Sequence, residues 1–291
     1  MMKFIRLLRP HQWIKNGFVL LGLMFSRQWN TSTLLAAVVT FLAFCSITSS
    51  VYVFNDILDI EADRQHPTKK GRPLASGVIS LRGGWTISVG LALTALLLAS
   101  FTRTWVVFFV VMYAVLNIGY SSRLKHVAVL DVFIISAGFM LRILAGTVGL
   151  DIAPSSWLLL CGFMLSLFLG FAKRRAELFT LENNGLPETR IFTRRVLKDY
   201  SAMMIDQFMA ISAACTILSY GLYTVNSETV ARYGTKTLIY TLPFVVYGVF
   251  RYIFLLHRRG KGNDTALDLY SDPHLLLTVI AWGVVTMVVI S

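Results

Sequence analysis

Apolar and polar positions fall in long alternating blocks along this chain. Apolar runs lie at 14–27, 33–54, 84–102, 104–121, 130–150, 154–172, 201–223, 237–256 and 274–291. About 20 apolar residues carry a helix across a bilayer core, so the pattern predicts nine transmembrane helices. The first run is the shortest in effect, because Lys15 and Asn16 interrupt it, and the third and fourth are separated only by Thr102-Arg103-Thr104. Polar residues concentrate in four segments, 55–83, 120–130, 171–200 and 256–273, and the other connections are mostly short. The richest loops follow the second and sixth runs, so the chain reads as a four-span unit used twice, a pattern that diverged internal duplications leave. A single domain over 1–291 is expected, since the spans must pack together to shield polar residues between them.

Composition agrees: 56% hydrophobic and 14% charged residues indicate an all-α polytopic membrane protein rather than an ordinary soluble domain. Charge then orients it. With the N-terminus inside, only Arg27, Arg103, Arg232 and Lys236 fall outside, Arg142 and Arg251 fall within spans, and the remaining 21 of 27 Lys and Arg lie inside. That bias supports nine spans and a cytoplasmic N-terminus. The formal net charge of +12 therefore belongs to one membrane face beside anionic headgroups, and nucleic acid is not an expected partner. No cleavable leader is expected after Met1-Met2-Lys3, because no small-residue processing site follows. Cys45, Cys161 and Cys215 sit in apolar runs without Cys-x-x-Cys spacing, which points to packing.

The chemistry concentrates after the second run, in Asn55-Asp56-Ile57-Leu58-Asp59-Ile60-Glu61-Ala62-Asp63-Arg64. On a helix Asp56, Asp59 and Asp63 share an arc of about 60° while Glu61 points elsewhere. Like charges on one stripe repel unless a cation offsets them, and an all-oxygen set (Asn55, Asp56, Asp59, Asp63) suits Mg²⁺ shared with a substrate phosphate. Arg64, His66, Lys69 and Arg72 follow closely, and carboxylates beside cations suit a metal diphosphate better than either alone. A solvated helix end would explain the carboxylates but not the adjoining cations.

Further clusters lie on the same face. Lys173-Arg174-Arg175 with Glu177 reads as a second anion site facing the first, or as ordinary positive flanking with a Lys173–Glu177 helix pair. Tyr120, Arg123 and Lys125 fit phosphate. Arg142, in an apolar run, must be paired or functional, and Asp206 is one possible partner. Trp13 reads as an interfacial anchor, with Lys15 and Asn16 near enough to reach a site. The 256–273 loop, with Asp264, Asp268 and Asp272, reads mainly as a solvated connection. The chain has no Walker-type phosphate loop, zinc helix or serine elbow, which removes support from ATP-driven transport and serine hydrolysis.

Asn55-Asp-x-x-Asp-x-x-x-Asp63, closing with Arg72-Pro73, resembles the first Asp-rich motif of the UbiA prenyltransferase superfamily. Arg9-Pro-His-Gln-Trp-Ile-Lys-Asn16, Asp63-Arg-Gln-His-Pro-Thr-Lys69, Tyr120-Ser-Ser-Arg-Leu-Lys125, Lys173-Arg-Arg-Ala-Glu177 and the 264–273 loop are similar to the decaprenyl-phosphate phosphoribosyltransferase family. The resemblance implies nine helices around a lipid-accessible cavity, in a bacterial inner membrane, with the active site on the cytoplasmic side. It implies Mg²⁺-dependent transfer of 5-phosphoribosyl from phosphoribosyl diphosphate (PRPP) to a polyprenyl phosphate, and it permits a homotrimer. Aromatic prenyltransferases usually carry a second acidic box where this chain has Lys173-Arg-Arg-Ala-Glu177, and those cations suit two phosphate-bearing substrates. On this reading Asp56, Asp59 and Asp63 hold Mg²⁺, Lys69 and Arg72 offset charge on departing diphosphate, and Lys125, Lys173, Arg174 and Arg175 position the lipid phosphate and sugar 5-phosphate. Two other readings stand beside it. A prenyltransferase would move an isoprenyl chain from its diphosphate to a small aromatic acceptor, and a transporter of polyprenyl-linked sugars would release no diphosphate.

Overall fold

Each long helix begins where a polar residue stands just ahead of an apolar run. A computed structural model describes residues 6–65, 69–183, 195–259, 262 and 264–291. Asn30 caps Thr31–Leu58 by accepting from the Thr33 amide, Ser80 caps Leu81–Ser100 through Gly83, and Ser201 caps Ala202–Val225 through Met204. These caps satisfy amides that a helix start leaves open. Among the described residues, eight helical spans are long and apolar enough to cross a membrane, and they match the second to ninth predicted runs.

The first run differs. Pro10–Val19 is a 3-10 helix and only Leu20–Ser26 (α1) is α-helical. Pro10 fixes the opening turn, and Lys15 and Asn16 place polar groups mid-run, so a continuous apolar α-helix does not form there. Ten residues of 3-10 helix are unusual, and their greater rise gives 10–26 a reach of about 30 Å.

The chain forms two compact units. One comprises the described chain through Val127 together with Leu141–Ala153, and the other comprises Ala128–Met140, the helix that follows Pro154, and everything from Arg195 onward. The first unit contains the 3-10 run, α1, α2 (Thr31–Leu58), α3 (Ile60–Gln65), α4 (Leu81–Ser100), α5 (Thr104–Ser122) and the end of α6 (Leu130–Gly146). Its core combines Val19, Phe44, Val106 and Val110 with the small residues Ala37, Ala43, Ala95 and Ala99. Small residues let backbones approach, and α2 and α4 join through reciprocal bonds, Ser50 Oγ to the Ser88 carbonyl at 2.7 Å and Ser88 Oγ to the Ser50 carbonyl at 3.0 Å. A Cβ on Gly146 would fall on the Val19 carbonyl, and one on Gly22 on the Gly146 carbonyl. Gly146→Ala is therefore expected to destabilise this unit by about 1–3 kcal/mol, read as a lower melting temperature in detergent. An unchanged melting temperature would show that the contact can relax.

The second unit contains the start of α6, α7 (Ser156–Asn183), α8 (Ala202–Val225), α9 (Ser227–Tyr233), α10 (Leu242–Arg259), α11 (Thr265–Ser271) and α12 (Pro273–Ile290). Phe168, Ile205, Met209 and Leu255 form its core, and Gly170 lets Val132 lie against the α7 backbone. The loop before α12 is not a solvated connection. Asp268 and Asp272 are buried; Asp268 accepts from the Gly262 amide at 2.7 Å, and Asp272 caps α12 while its carboxylate takes Arg251 at 2.8 and 3.1 Å.

Candidate functional site

The Asp-rich stripe survives a change of helix. Helix α2 ends at Leu58, and Asp59 turns the chain with φ −92 and ψ 9, but the Asp59 amide still bonds to Asn55 and the Asp63 amide to Asp59. Asp56 and Asp63, two turns apart, therefore stay on one face. Arg72 Nη1 bridges them, at 3.0 Å from Asp56 Oδ1 and 2.6 Å from Asp63 Oδ2. The 72–79 turn presents that guanidinium: its backbone closes through Arg72–Lys69, Ser76–Arg72 and Ile79–Pro73 bonds, and Leu74 anchors it among Leu7, Val53 and Ile57. Arg9 Nη2 adds a second cation to Asp56 Oδ1 at 2.6 Å. Asp59 sits apart from these two, accepting from Lys125 Nζ at 3.2 Å and Asn55 Nδ2 at 3.0 Å. The Asp56 and Asp63 side chains are 3% and 5% exposed, against 32% for Asp59, so the first two carry the heavier desolvation cost.

Other predicted residues sort by contact. Arg64 pairs with exposed Glu61 and donates to the Ala75 carbonyl, which makes it a brace for the turn rather than part of the carboxylate cluster. Lys69 and Tyr120 are half-buried and Arg123 is exposed. His66 lies outside the described residues. Arg142 finds its partners within the first unit. Its guanidinium is held by neutral groups, Asn16 Oδ1 at 2.7 Å, Tyr113 OH at 3.0 Å and Thr48 Oγ1 at 3.3 Å, with the Tyr113 ring face 4.6 Å away. Asn16 also donates to Cys45 Sγ, while Lys15 stands half-buried beside it. Asp206 instead takes Arg175 at 3.1 Å and His257 at 3.3 Å.

The second unit corrects the reading of Arg174 as an anion ligand. Its side chain is fully buried, with Nε on Asp131 Oδ2 at 2.6 Å and Nη1 on Glu177. Its charge is thereby committed to carboxylates, and Glu177 is bonded to Arg174, three residues away. Tyr200 completes the cluster by donating to Asp131 Oδ1 at 2.9 Å and accepting from the Val129 amide at 2.6 Å. Burial raises the Tyr200 pKa above the usual phenol range, the Val129 amide opposes that rise, and Asp131 adds to it, so the hydroxyl remains a proton donor at neutral pH. Val129 has φ 67, a left-handed conformation rare for a β-branched residue, and the bond to Tyr200 ties its amide down. Sequence reasoning quoted Arg9 within the Arg9–Asn16 motif without giving it a role, and it missed Tyr113 and Tyr200. For the Tyr200 cluster the signal was Asp131, an acid opening an apolar run.

Among the described residues no three acidic, histidine or cysteine side chains are arranged to hold a metal by themselves. Mg²⁺ commonly takes one or two carboxylates and completes its shell with water and substrate phosphate. Asp56 and Asp63 fit that use, because each engages its guanidinium partners through one oxygen, leaving Asp56 Oδ2 and Asp63 Oδ1 as hard donors.

Residues 17–271, from the 3-10 run through α11, match the UbiA prenyltransferase family. The chain belongs to that family. It is 32% identical over 261 residues to the decaprenyl-phosphate phosphoribosyltransferase of Mycolicibacterium smegmatis, covering 84% of this chain and 80% of the relative. The enzyme of the same name from Corynebacterium glutamicum is 32% identical over 284 residues, 96% of this chain and 83% of its own. A UbiA homolog from Archaeoglobus fulgidus, solved with DMAPP and Mg²⁺ bound, superposes with a TM-score of 0.74 at 18% identity, over 98% of this chain and 99% of that one. The UbiA match runs through both compact units, so neither is a separate appended module.

Proposed function

We propose that this chain transfers 5-phosphoribosyl from PRPP to a polyprenyl phosphate, with Mg²⁺, and releases diphosphate. The observation that carries the reading is the pairing of a first Asp box with cations where aromatic prenyltransferases have a second one, in a chain about one-third identical to enzymes named decaprenyl-phosphate phosphoribosyltransferase. Asp56 and Asp63, with Asn55 and Asp59 beside them, would hold the metal. Bound there, Mg²⁺ supplies neutralisation of the diphosphate leaving group. Arg72 and Lys69 bind the diphosphate oxygens and stabilise charge as the bond to sugar C1 lengthens. The lipid phosphate oxygen forms the new bond to C1 from the opposite face and needs no general base, being already anionic. Lys125, Lys173 and Arg175, with Tyr120 and Arg123, are the groups we assign to the lipid phosphate and the sugar 5-phosphate. Arg142, held by Asn16, Thr48 and Tyr113, takes a supporting place, and Lys15 is assigned with the substrate-binding cations.

Purified protein incubated with Mg²⁺, radiolabelled PRPP and decaprenyl phosphate should yield an acid-labile labelled lipid that EDTA suppresses. No labelled lipid from folded protein would overturn the reading, and chain transfer from labelled polyprenyl diphosphate would replace it with prenyl transfer.

We also propose nine crossings of a bacterial inner membrane, the 10–26 stretch being the first, with the N-terminus and the Asp box cytoplasmic. The support is the reach of that stretch and the asymmetry of Lys and Arg. In intact cells an impermeant maleimide should then label Arg103→Cys and spare Arg123→Cys. The reverse pattern would invert the topology.

A further inference from the structure

The carboxylates of the Asp box are matched in charge by the protein's own cations. Asp56, Asp59 and Asp63 face Arg9, Arg72 and Lys125, three carboxylates against three cations. Arg9 is the member whose placement the local backbone does not favour. It has φ 51 and ψ 57, a left-handed conformation that side-chain-bearing residues rarely adopt, immediately before the fixed turn at Pro10. Contacts on both sides of that position hold it there. Its guanidinium lies 2.6 Å from Asp56 and 5.0 Å from the centre of the Tyr52 ring, and its carbonyl accepts the Gln12 amide that starts the 3-10 run. Nearby, Trp13 Nε1 donates to Ser49 Oγ, which donates to the Leu8 carbonyl, so the segment carrying Arg9 is pinned to α2 before and after it. Asp56 thus receives two guanidinia on one oxygen, and one of them, Arg72, also serves Asp63.

This arrangement disfavours a divalent ion arriving alone. Adding two positive charges to a balanced, largely buried cluster leaves a net excess, whereas a metal accompanied by a diphosphate brings its own compensation. We infer that Arg9 is an exchangeable counter-ion: it neutralises Asp56 in the free protein, and it passes to a diphosphate oxygen when metal and diphosphate enter together. Arg9 thereby couples the two ligands, making each bind better in the presence of the other. The inference rests on the proposed reading of the Asp box as a metal-diphosphate site.

Mn²⁺ binding followed by electron paramagnetic resonance, with and without PRPP, reads the coupling without requiring turnover. In the wild-type protein PRPP should tighten Mn²⁺ at least about tenfold. In Arg9→Gln, Mn²⁺ alone should bind roughly three- to tenfold more tightly, because a competing cation is gone, while PRPP in the presence of Mn²⁺ should bind at least about tenfold more weakly. Opposite shifts in one variant are the signature. Both affinities falling together, or only one moving, would assign Arg9 a structural role and overturn the inference. Arg9→Lys keeps the charge that competes at Asp56 and should keep the sign of the coupling, with a smaller size because the planar contact with Tyr52 is lost. If Arg9→Gln does not fold, lost coupling in folded Arg9→Lys would overturn the inference equally. Absence of any Mn²⁺–PRPP coupling in the wild type would instead sink the reading of the Asp box itself.

Discussion

Asp56→Asn is expected to lower phosphoribosyl transfer on the order of 10³-fold, the scale of losing a principal charge-stabilising contact in a transferase. The side chain is 3% exposed and carries both Arg9 and Arg72. An amide keeps its shape and one acceptor oxygen, so the helix and its packing remain, but it cannot offset a metal or two guanidinia. Asp59→Asn should lose far less, because its side chain is 32% exposed and its one ion pair is with Lys125. The comparison is made in detergent with saturating Mg²⁺ and PRPP, with gel filtration to verify folding. Turnover of Asp56→Asn near that of the wild type would remove Asp56 from the metal site.

Arg174→Leu should damage the fold rather than the chemistry. Removing the guanidinium strands the fully buried Asp131 carboxylate and deprives Glu177 of its partner, and a buried pair broken on one side costs about 3–5 kcal/mol. For a chain of this size that corresponds to a fall in melting temperature on the order of 10 °C. Arg174→Leu combined with Asp131→Leu should recover much of the loss, since an apolar pair of similar volume replaces a buried ion pair at little cost. A single variant that melts normally but loses lipid-phosphate binding would return Arg174 to the ligand set.

Most of the fold was legible because the blocks of apolar residues are long. Four predicted runs, 33–54, 104–121, 130–150 and 237–256, lie wholly within the observed spans, and 84–102, 154–172, 201–223 and 274–291 overrun theirs by only one or two residues. The first run misled because hydropathy does not distinguish 3-10 from α winding: Pro10 and the polar Lys15-Asn16 pair were visible, but the consequence for pitch was not. At the site, spacing placed Asp56, Asp59 and Asp63 on one face; Asp56 and Asp63 stay together on Arg72, whereas Asp59, where α2 ends, turns to Lys125 and Asn55. Which cation meets which carboxylate depends on folded-back contacts. Arg72 reaches Asp63 across nine positions, Arg9 reaches Asp56 across 47, and Lys125 reaches Asp59 across 66. The same ambiguity misplaced Arg174: a run of three cations at a helix end looks the same whether its middle member faces solvent or, as here, a buried Asp131 43 positions earlier.

The 3-10 winding of Pro10–Val19 acts as a ruler. The run is held at its start by Arg9 on Asp56 and, seven residues on, by Asn16 beside Thr48 and Cys45, about two to three turns nearer the start of α2. The seven residues from Arg9 to Asn16, rewound as α-helix, would shorten by about 3.5 Å, more than any hydrogen bond stretches. Arg9 and Asn16 could not both keep their partners. Because Asn16 also holds Arg142, the length of this one rod sets the spacing between the Asp box and the buried Arg142 cluster, and a change of winding would be felt at both.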